Sequence, residues 1–451
     1  MDMPNGTRSI VEMLQSIALT TLDAVNSTNL LPDIVSARKN KTGAVMDVKG
    51  RQYPIHPPLH LLAVGKAAGA MSAAMIDLLP IPFASGLVIS KHHHLRGYDF
   101  GESITMMEGG HPISDMASVQ AGEAAITFLE SLEEEFNLIM LISGGGSALL
   151  STPCDGINLK DMQTTSKALV RSGADILEIN AVRKHIEKLK GGQLLRHTKA
   201  RVVALMLSDV VGDHMDTIAS GLTVPDSTTF WDAGRVVAKY GLQDALPKPV
   251  LERIQAGMDG LLAETPKEND PIFERAENII VGSPSVAADY AKKAAEEKSY
   301  PCALVDDQIT ASVQETAERV FESIQTVRRR SHPLAAPCCL ILAGEMTVQV
   351  NGPGLGGRNL HFALEMVEKL RGIACVAVVS VATDGSDGPT DAAGAVVTGD
   401  SYREAADAGL DPQIYVRDFD SYHFFDVMGS LLRVGPTGTN LCDVIIVLID
   451  A

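Results

Sequence analysis

Apolar runs of strand length alternate with segments of helical spacing along most of the chain. Residues 59–64 (LHLLAV) lead through Gly65 and Gly69 into an Ala/Met-rich helix, with Met71 and Met75 at core spacing. The pattern predicts short strands at 86–90 and 104–107, a helix over 117–134 and a strand over 137–142 (NLIMLI). Helices are expected around 159–171 and 175–195, and a further strand over 202–207. From about 242 to 275 the chain turns rich in Pro, Gly and charge, and the alternation then restarts. There it predicts a strand at 278–281, a long helix at about 308–330 and strands at 338–343, 373–381 and 444–449. Such alternation is the mark of a layered α/β fold with a largely parallel sheet. At 451 residues the chain exceeds a usual single core. The polar stretch therefore predicts a boundary between a domain over 1–275 and a second over 276–451. No repeat is strong enough to claim duplication.

Composition narrows the class. Hydrophobic content of 45% and charged content of 21% describe an ordinary globular protein. A formal net charge of −18 argues against nucleic acid or anionic membrane as a partner, since both select for basic surface. No apolar run approaches a membrane span, and the start of the chain, with Asp2 and Glu12, lacks a leader pattern. The six cysteines lack C-x-x-C spacing, and most read as reduced core residues. The expectation is a soluble cytoplasmic protein. If it handles anionic metabolites, it must concentrate its cations locally.

The chemistry gathers where apolar runs end. Ser143, Gly144, Gly145, Gly146 and Ser147 follow the 137–142 strand and precede a helix-like segment. Three glycines can turn their amides to one side and cradle phosphate or carboxylate, although a plain tight turn has the same composition. Lys66, between Gly65 and Gly69 at another strand end, is placed to meet an anion as a point charge. Asp209, Asp213, Asp384 and Asp387 supply carboxylates at two strand ends. Near phosphate such groups hold magnesium or accept a proton, and otherwise they make Asx turns and helix caps. In open α/β sheets the ligand crevice lies at the carboxyl ends of the strands, so these loops together suggest a composite site. Gly352, Gly354 and Gly357 satisfy G-x-G-x-x-G, but the acidic residue expected about 20 positions on falls in the apolar 373–381 run. Arg358, after Gly356 and Gly357, offers a planar fork suited to phosphate or carboxylate. No Gly-Lys-Ser/Thr follows the triple glycine, so this is not a P-loop. His92, His93 and His94 are consecutive and do not converge on an ion, so they read as an exposed loop.

Taken in order, these stretches resemble the class II, MOFRL-type glycerate kinases. The resemblance runs through 63–69, 109–112, 143–147, 180–184 with 189–192, 208–213, 219–221, 344–348, 356–359, 383–388 and 437–440. His214, Met215 and Leu222 depart from the commoner pattern. The resemblance implies two layered α/β domains, a Rossmann-like first and a smaller MOFRL-type second, with an interdomain cleft as active site. It implies phosphorylation of D-glycerate by ATP with magnesium, giving 2-phosphoglycerate, with Lys66 and Arg358 as the matched basic residues. On that basis the Gly144–Ser147 amides, Lys66, Arg183 and Arg358 would neutralise the anions, and Gly356 and Gly357 join the nucleotide set. Asp209 is the candidate to orient the acceptor hydroxyl, and Asp213 and Asp384 are the candidate magnesium ligands. The rivals are a nicotinamide-dependent hydroxypyruvate reductase and a non-enzymatic metabolite-binding protein.

Overall fold

The computed structural model describes residues 5–451 and divides into two compact α/β units. The first comprises Leu31–Ser208 and Asp213–Val281. The second comprises the chain up to Leu30, Asp209–Gly212 and Gly282–Ala451.

The first unit is built on a six-stranded sheet. Its order is Ile104–Gly109, Phe83–Lys91, Leu59–Val64, Asn137–Ile142, Arg201–Leu207 and Ala276–Gly282. The four pairings from Ile104–Gly109 across to Arg201–Leu207 are parallel. Every residue of Leu59–Val64 and Asn137–Ile142 is buried, because helices cover both faces of such a sheet; that is why these strands read as unbroken apolar runs. Parallel direction brings the segments after Val64, Lys91, Gly109, Ile142 and Leu207 to one edge. A second core lies among the helices Leu159–Arg171, Ile176–His185, Phe230–Lys239 and Lys248–Met258, where Leu169, Val182, Val237 and Ile254 pack together.

Three features differ from the sequence expectations in this unit. A three-stranded antiparallel sheet, Val35–Lys39, Ala44–Val48 and Arg51–Ile55, was not anticipated. Its second hairpin turns at Lys49 and Gly50, both at positive φ. The helix expected over 175–195 ends at His185, and the chain turns at Gly191 and Gly192 (φ 62° and 78°) before a short 3₁₀ turn, Gln193–His197. Finally, the residues before Leu31 and Asp209–Gly212 group with the second unit, and the first unit runs past 275, beyond the 242–275 stretch. Its helix carries Val250 and Ile254 into the helical core, and residues 276–281 add the edge strand, so the contact boundary falls at Val281/Gly282.

In the second unit the sheet runs Cys302–Ile309, Cys338–Gly344, Asp443–Ile449, Val376–Ala382, Gly394–Thr398 and Leu431–Leu432. Only Cys302–Ile309 with Cys338–Gly344 is parallel, and the other pairings are antiparallel. A largely parallel sheet was the expectation here, but burial on both faces makes strands apolar whatever their direction. The helix Val313–Arg330 packs Val320 and Ile324 on this sheet, beside Leu360 and Val367 of Arg358–Lys369. All six cysteines are free. Among the described residues no helix is long and apolar enough to cross a membrane.

The turn after the Ile176–His185 helix is fixed by a buried ion pair. Lys190 Nζ lies 2.6 Å from Glu187 Oε1, with the two side chains 1% and 2% exposed. Glu187 also accepts from Ser151 Oγ and the Thr152 amide, both at 2.8 Å, tying this turn to the chain just beyond the triple glycine. Burial lowers the proton affinity of Lys190, and Glu187 offsets this only in part. Glu187→Ala would strand a buried ammonium and should cost about 3–5 kcal/mol in chemical denaturation. A loss below about 1 kcal/mol would show that the pair does not hold this turn.

Candidate active site

At the carboxyl edge of the parallel sheet, three adjacent strands are laced together near their ends. Gly65 N donates to Ile89 O (3.1 Å), Ser143 N to Val64 O (3.0 Å) and Lys66 N to Gly144 O (2.9 Å). Ser143 Oγ accepts from Ala67 N at 3.1 Å. Gly65 has φ 130°, and a Cβ there would fall 2.1 Å from Ser143 Oγ, so no other residue fits. The Gly144 carbonyl is thus turned inward. Among the described residues, the N–H groups of Gly144, Gly145, Gly146 and Ser147 donate to nothing. Four consecutive unpaired donors at a strand end make an anion cradle. The helix behind them, Gly146–Leu149, is a single turn, so the cradle rests on its amides and not on a helix dipole.

The cradle is braced from below. Ser147 donates to Ser220 Oγ (2.7 Å), which donates to Asn180 Oδ1 (3.0 Å). Ala219, Ser220 and Gly221 are all left-handed (φ 48°, 58° and 69°). Backbone strain of this kind persists where surrounding structure fixes it, and it gathers at functional sites. Ala219 closes the floor: a Cβ on Gly146 would meet its Cβ at 2.8 Å.

A basic wall stands beside the loop. A Cβ on Gly145 would lie 3.0 Å from Cδ2 of His111 and 3.3 Å from Cγ of Lys66. His111 is pushed down to about 4, first by burial and then by the charges of Lys66, Lys91 and His94. His94 is exposed, but its ring hydrogen-bonds the backbone of Lys66, and burial with Lys91 lowers its pKa. His92 instead pairs with Asp115 at 2.7 Å. Arg183 is half-buried, and its side chain makes no hydrogen bond or ion pair with any described residue. Burial lowers its pKa and Glu187 partly restores it.

The second unit holds its charges differently. Asp443 opens the central strand and sits opposite Gly344 and Ala382, so the ends of both neighbours flank it. Arg358, first residue of its helix, donates Nε to Asp443 Oδ2 (2.6 Å) and Nη1 to Glu345 Oε1 (2.5 Å). Burial opposes the guanidinium charge, but Asp443 and Glu345 outweigh it and hold Arg358 above its ordinary range. Fully buried Asp443 is raised to about 6 by burial, with Arg358 pulling the other way. Asn359 bridges Asp443 and Asp387 through Nδ2 (2.8 and 3.2 Å). Asp387 caps the helix by accepting from the Asn359 and Leu360 amides.

The first unit thus brings together Lys66, the 143–147 loop and its braces, and it also carries Arg183 and Asp213. Arg358, Gly356, Gly357, Asp384 and Asp209 belong to the second. There Asp209 accepts from Asn440 Nδ2 (3.1 Å). Asp384 accepts the Ser386 amide in an Asx-type turn. Gly356 and Gly357 serve packing, since Cβ atoms there would meet Ser421 Oγ at 2.2 Å and Asp387 Cγ at 2.4 Å. His111, Lys91 and His94 went unassigned in the sequence. The usable signal was Gly-Gly-His-Pro at 109–112, another polar loop at a parallel strand end.

An open parallel sheet with an amide cradle and a basic wall at its carboxyl edge defines an α/β protein that handles a small anionic metabolite. A domain of unknown function, DUF4147, matches residues 13–255, and the MOFRL family matches residues 338–443. The chain belongs to the class II, MOFRL-type glycerate kinase family. It is 35% identical over 408 residues to the glycerate 2-kinase of Pyrococcus horikoshii, covering 90% of each chain. A crystal structure of glycerate kinase from Thermotoga maritima superposes with a TM-score of 0.85 at 34% identity, covering 98% of this chain and 100% of that one. A protein of Agrobacterium vitis whose provisional name is hydroxypyruvate reductase is 36% identical, covering 86% of each chain.

His111 gives this site an acid signature. Unfolded, its imidazole binds a proton near 6.5; folded, only near 4. Its contribution to stability is therefore whole above 6.5 and is lost as pH falls toward 4. His111→Asn should shrink the drop in melting temperature between pH 7.5 and 5.0. An unchanged drop would place the acid sensitivity elsewhere.

Proposed function

We propose that this protein transfers the terminal phosphoryl group of ATP to the 2-hydroxyl of D-glycerate, giving 2-phosphoglycerate and ADP. The observation that carries the reading is the row of four unpaired amides, Gly144–Ser147, beside Lys66. Phosphoryl transfer is mostly positioning and charge stabilisation, and fixed amides and cations supply both. Lys66, Arg183 and Arg358 are the candidate cations for the phosphates and for the glycerate carboxylate. Asp209 orients the acceptor hydroxyl. Family membership supports the reaction, and the relatives named glycerate kinase support the substrate.

Magnesium, when bound, would supply positive charge against the phosphates. Asp213 fits that ion: its Oδ1 is buried and accepts no hydrogen bond among the described residues. Asp384 is the second candidate. Among the described residues no cluster of three or more His, Cys, Asp or Glu could hold a metal, and magnesium held by phosphates, waters and one or two carboxylates needs none. Free cysteines and ATP use both suit the cytoplasm.

The reductase reading has a relative's provisional name behind it. Against it, Cβ atoms at Gly352, Gly354 and Gly357 would fall within 2.4 Å of atoms of Asp418, Asp420 and Asp387, so these glycines are spent on packing. Purified protein with D-glycerate, magnesium and ATP should release ADP, while hydroxypyruvate should leave NADH absorbance unchanged. NADH oxidation without ADP release would overturn the kinase.

Two variants probe the roles. Lys66→Ala should lower kcat by ~100-fold or more with folding nearly intact, the range for removing one electrostatic donor; wild-type turnover would remove Lys66 from the mechanism. At Arg358 the fork already spans Asp443 and Glu345, a geometry lysine cannot copy. Arg358→Lys should therefore lose nearly as much activity as Arg358→Ala, and both should melt earlier because buried Asp443 loses its partner. Full activity in the lysine variant would refute the fork.

A further inference from the structure

The imidazole of His111 lies against the glycine loop, yet among the described residues it makes no hydrogen bond or ion pair. Its Nε2 and the Cγ of Lys66 stand 3.2 and 3.3 Å from where a Cβ of Gly145 would be, so both side chains converge on one backbone position. The groups that act on it are all basic. Lys66 follows one strand, Lys91 ends the next, and His94 sits in the turn after it. The nearby acids are engaged elsewhere. Glu108, which acts on His94, accepts the Leu95 amide and faces His92 and His93. Asp115 pairs with His92 and caps the helix Met116–Glu130.

We propose that His111 is a substrate contact: with Lys66 it grips a phosphoryl group seated on the Gly144–Ser147 amides, which makes this the phosphate subsite and not the carboxylate subsite. The inference rests on the kinase reading and assigns one of its anions. Charge matching favours the assignment. Lys66 and Lys91 bring two positive charges and the amides four donors, which suits a phosphate dianion and would over-neutralise a carboxylate. Binding should also draw a proton. In the free protein, burial and the two lysines keep His111 neutral. A dianion in contact reverses that field and raises the affinity of the ring for a proton. The bound state then holds the proton more tightly than the free state, so ATP affinity is greatest at low pH and falls as pH rises through the bound-state titration.

The test is calorimetry of ATP with magnesium at pH 6–8, in two buffers of different ionisation enthalpy, on wild type, His111→Ala and His111→Asn, with thermal melts confirming the fold. Wild type should take up a fraction of a proton beyond that taken up by the alanine variant. Its affinity should also fall more steeply with pH, by up to roughly 10-fold for each pKa unit gained. His111→Ala should bind ATP more weakly and with a flatter pH profile; His111→Asn, which keeps a donor, should retain affinity and lose the extra proton. Unchanged ATP affinity and proton uptake in both variants would overturn the contact. So would intact ATP binding with a raised KM for glycerate alone, which assigns the carboxylate here. ADP release by wild type decides the kinase reading separately: His111-dependent proton uptake without turnover supports the contact while sinking the kinase.

Discussion

One hydrogen bond, from the Lys66 amide to the Gly144 carbonyl, sets the geometry of the active edge. It joins the ends of two neighbouring parallel strands two residues beyond the sheet, beside the unpaired amides of Gly144–Ser147. Each such bond is worth only about 1 kcal/mol, but this one is reinforced by Ser143 N to Val64 O and Ala67 N to Ser143 Oγ. The lacing needs Gly65, since any side chain there would strike Ser143. Lysine position and amide direction are therefore one structural decision.

The two units manage charge by different means. In the first, the proposed anion cradle is made of backbone dipoles, which carry no net charge. In the second the candidate cation is Arg358, whose charge is kept in a half-buried place by Asp443 and Glu345. Asp443 in turn depends on topology. Only an antiparallel central strand begins where its neighbours end, and that places a carboxylate at its first residue between Gly344 and Ala382. The antiparallel pairings that the sequence did not disclose are thus what position the arginine that it did.

Legibility followed burial. Leu59–Val64 and Asn137–Ile142 were readable because strands buried on both faces are continuous apolar runs with sharp ends. For the same reason the direction of Cys338–Gly344, Val376–Ala382 and Asp443–Ile449 was not readable, since apolarity carries no orientation. The 35–55 sheet escaped because its strands are short and half exposed. Glycines misled where they serve packing: Gly356 and Gly357 have the composition of a cradle but press against Ser421 and Asp387. The three histidines were read as one exposed loop, which suits His93; His94, equally exposed, reaches the Lys66 backbone through a contact no spacing rule encodes.

A chain of net charge −18 that binds anions must gather positive charge without letting the gathered cations repel one another. Four permanent cations around Gly145 would strain the free protein. Two lysines and two imidazoles do not, because His94 and His111 are held toward their neutral forms by the burial and the neighbouring charges that a cationic wall creates. The wall is therefore less charged when empty than it can become when filled. Histidine supplies what a third or fourth lysine could not: positive charge that is withheld until an anion is present to balance it.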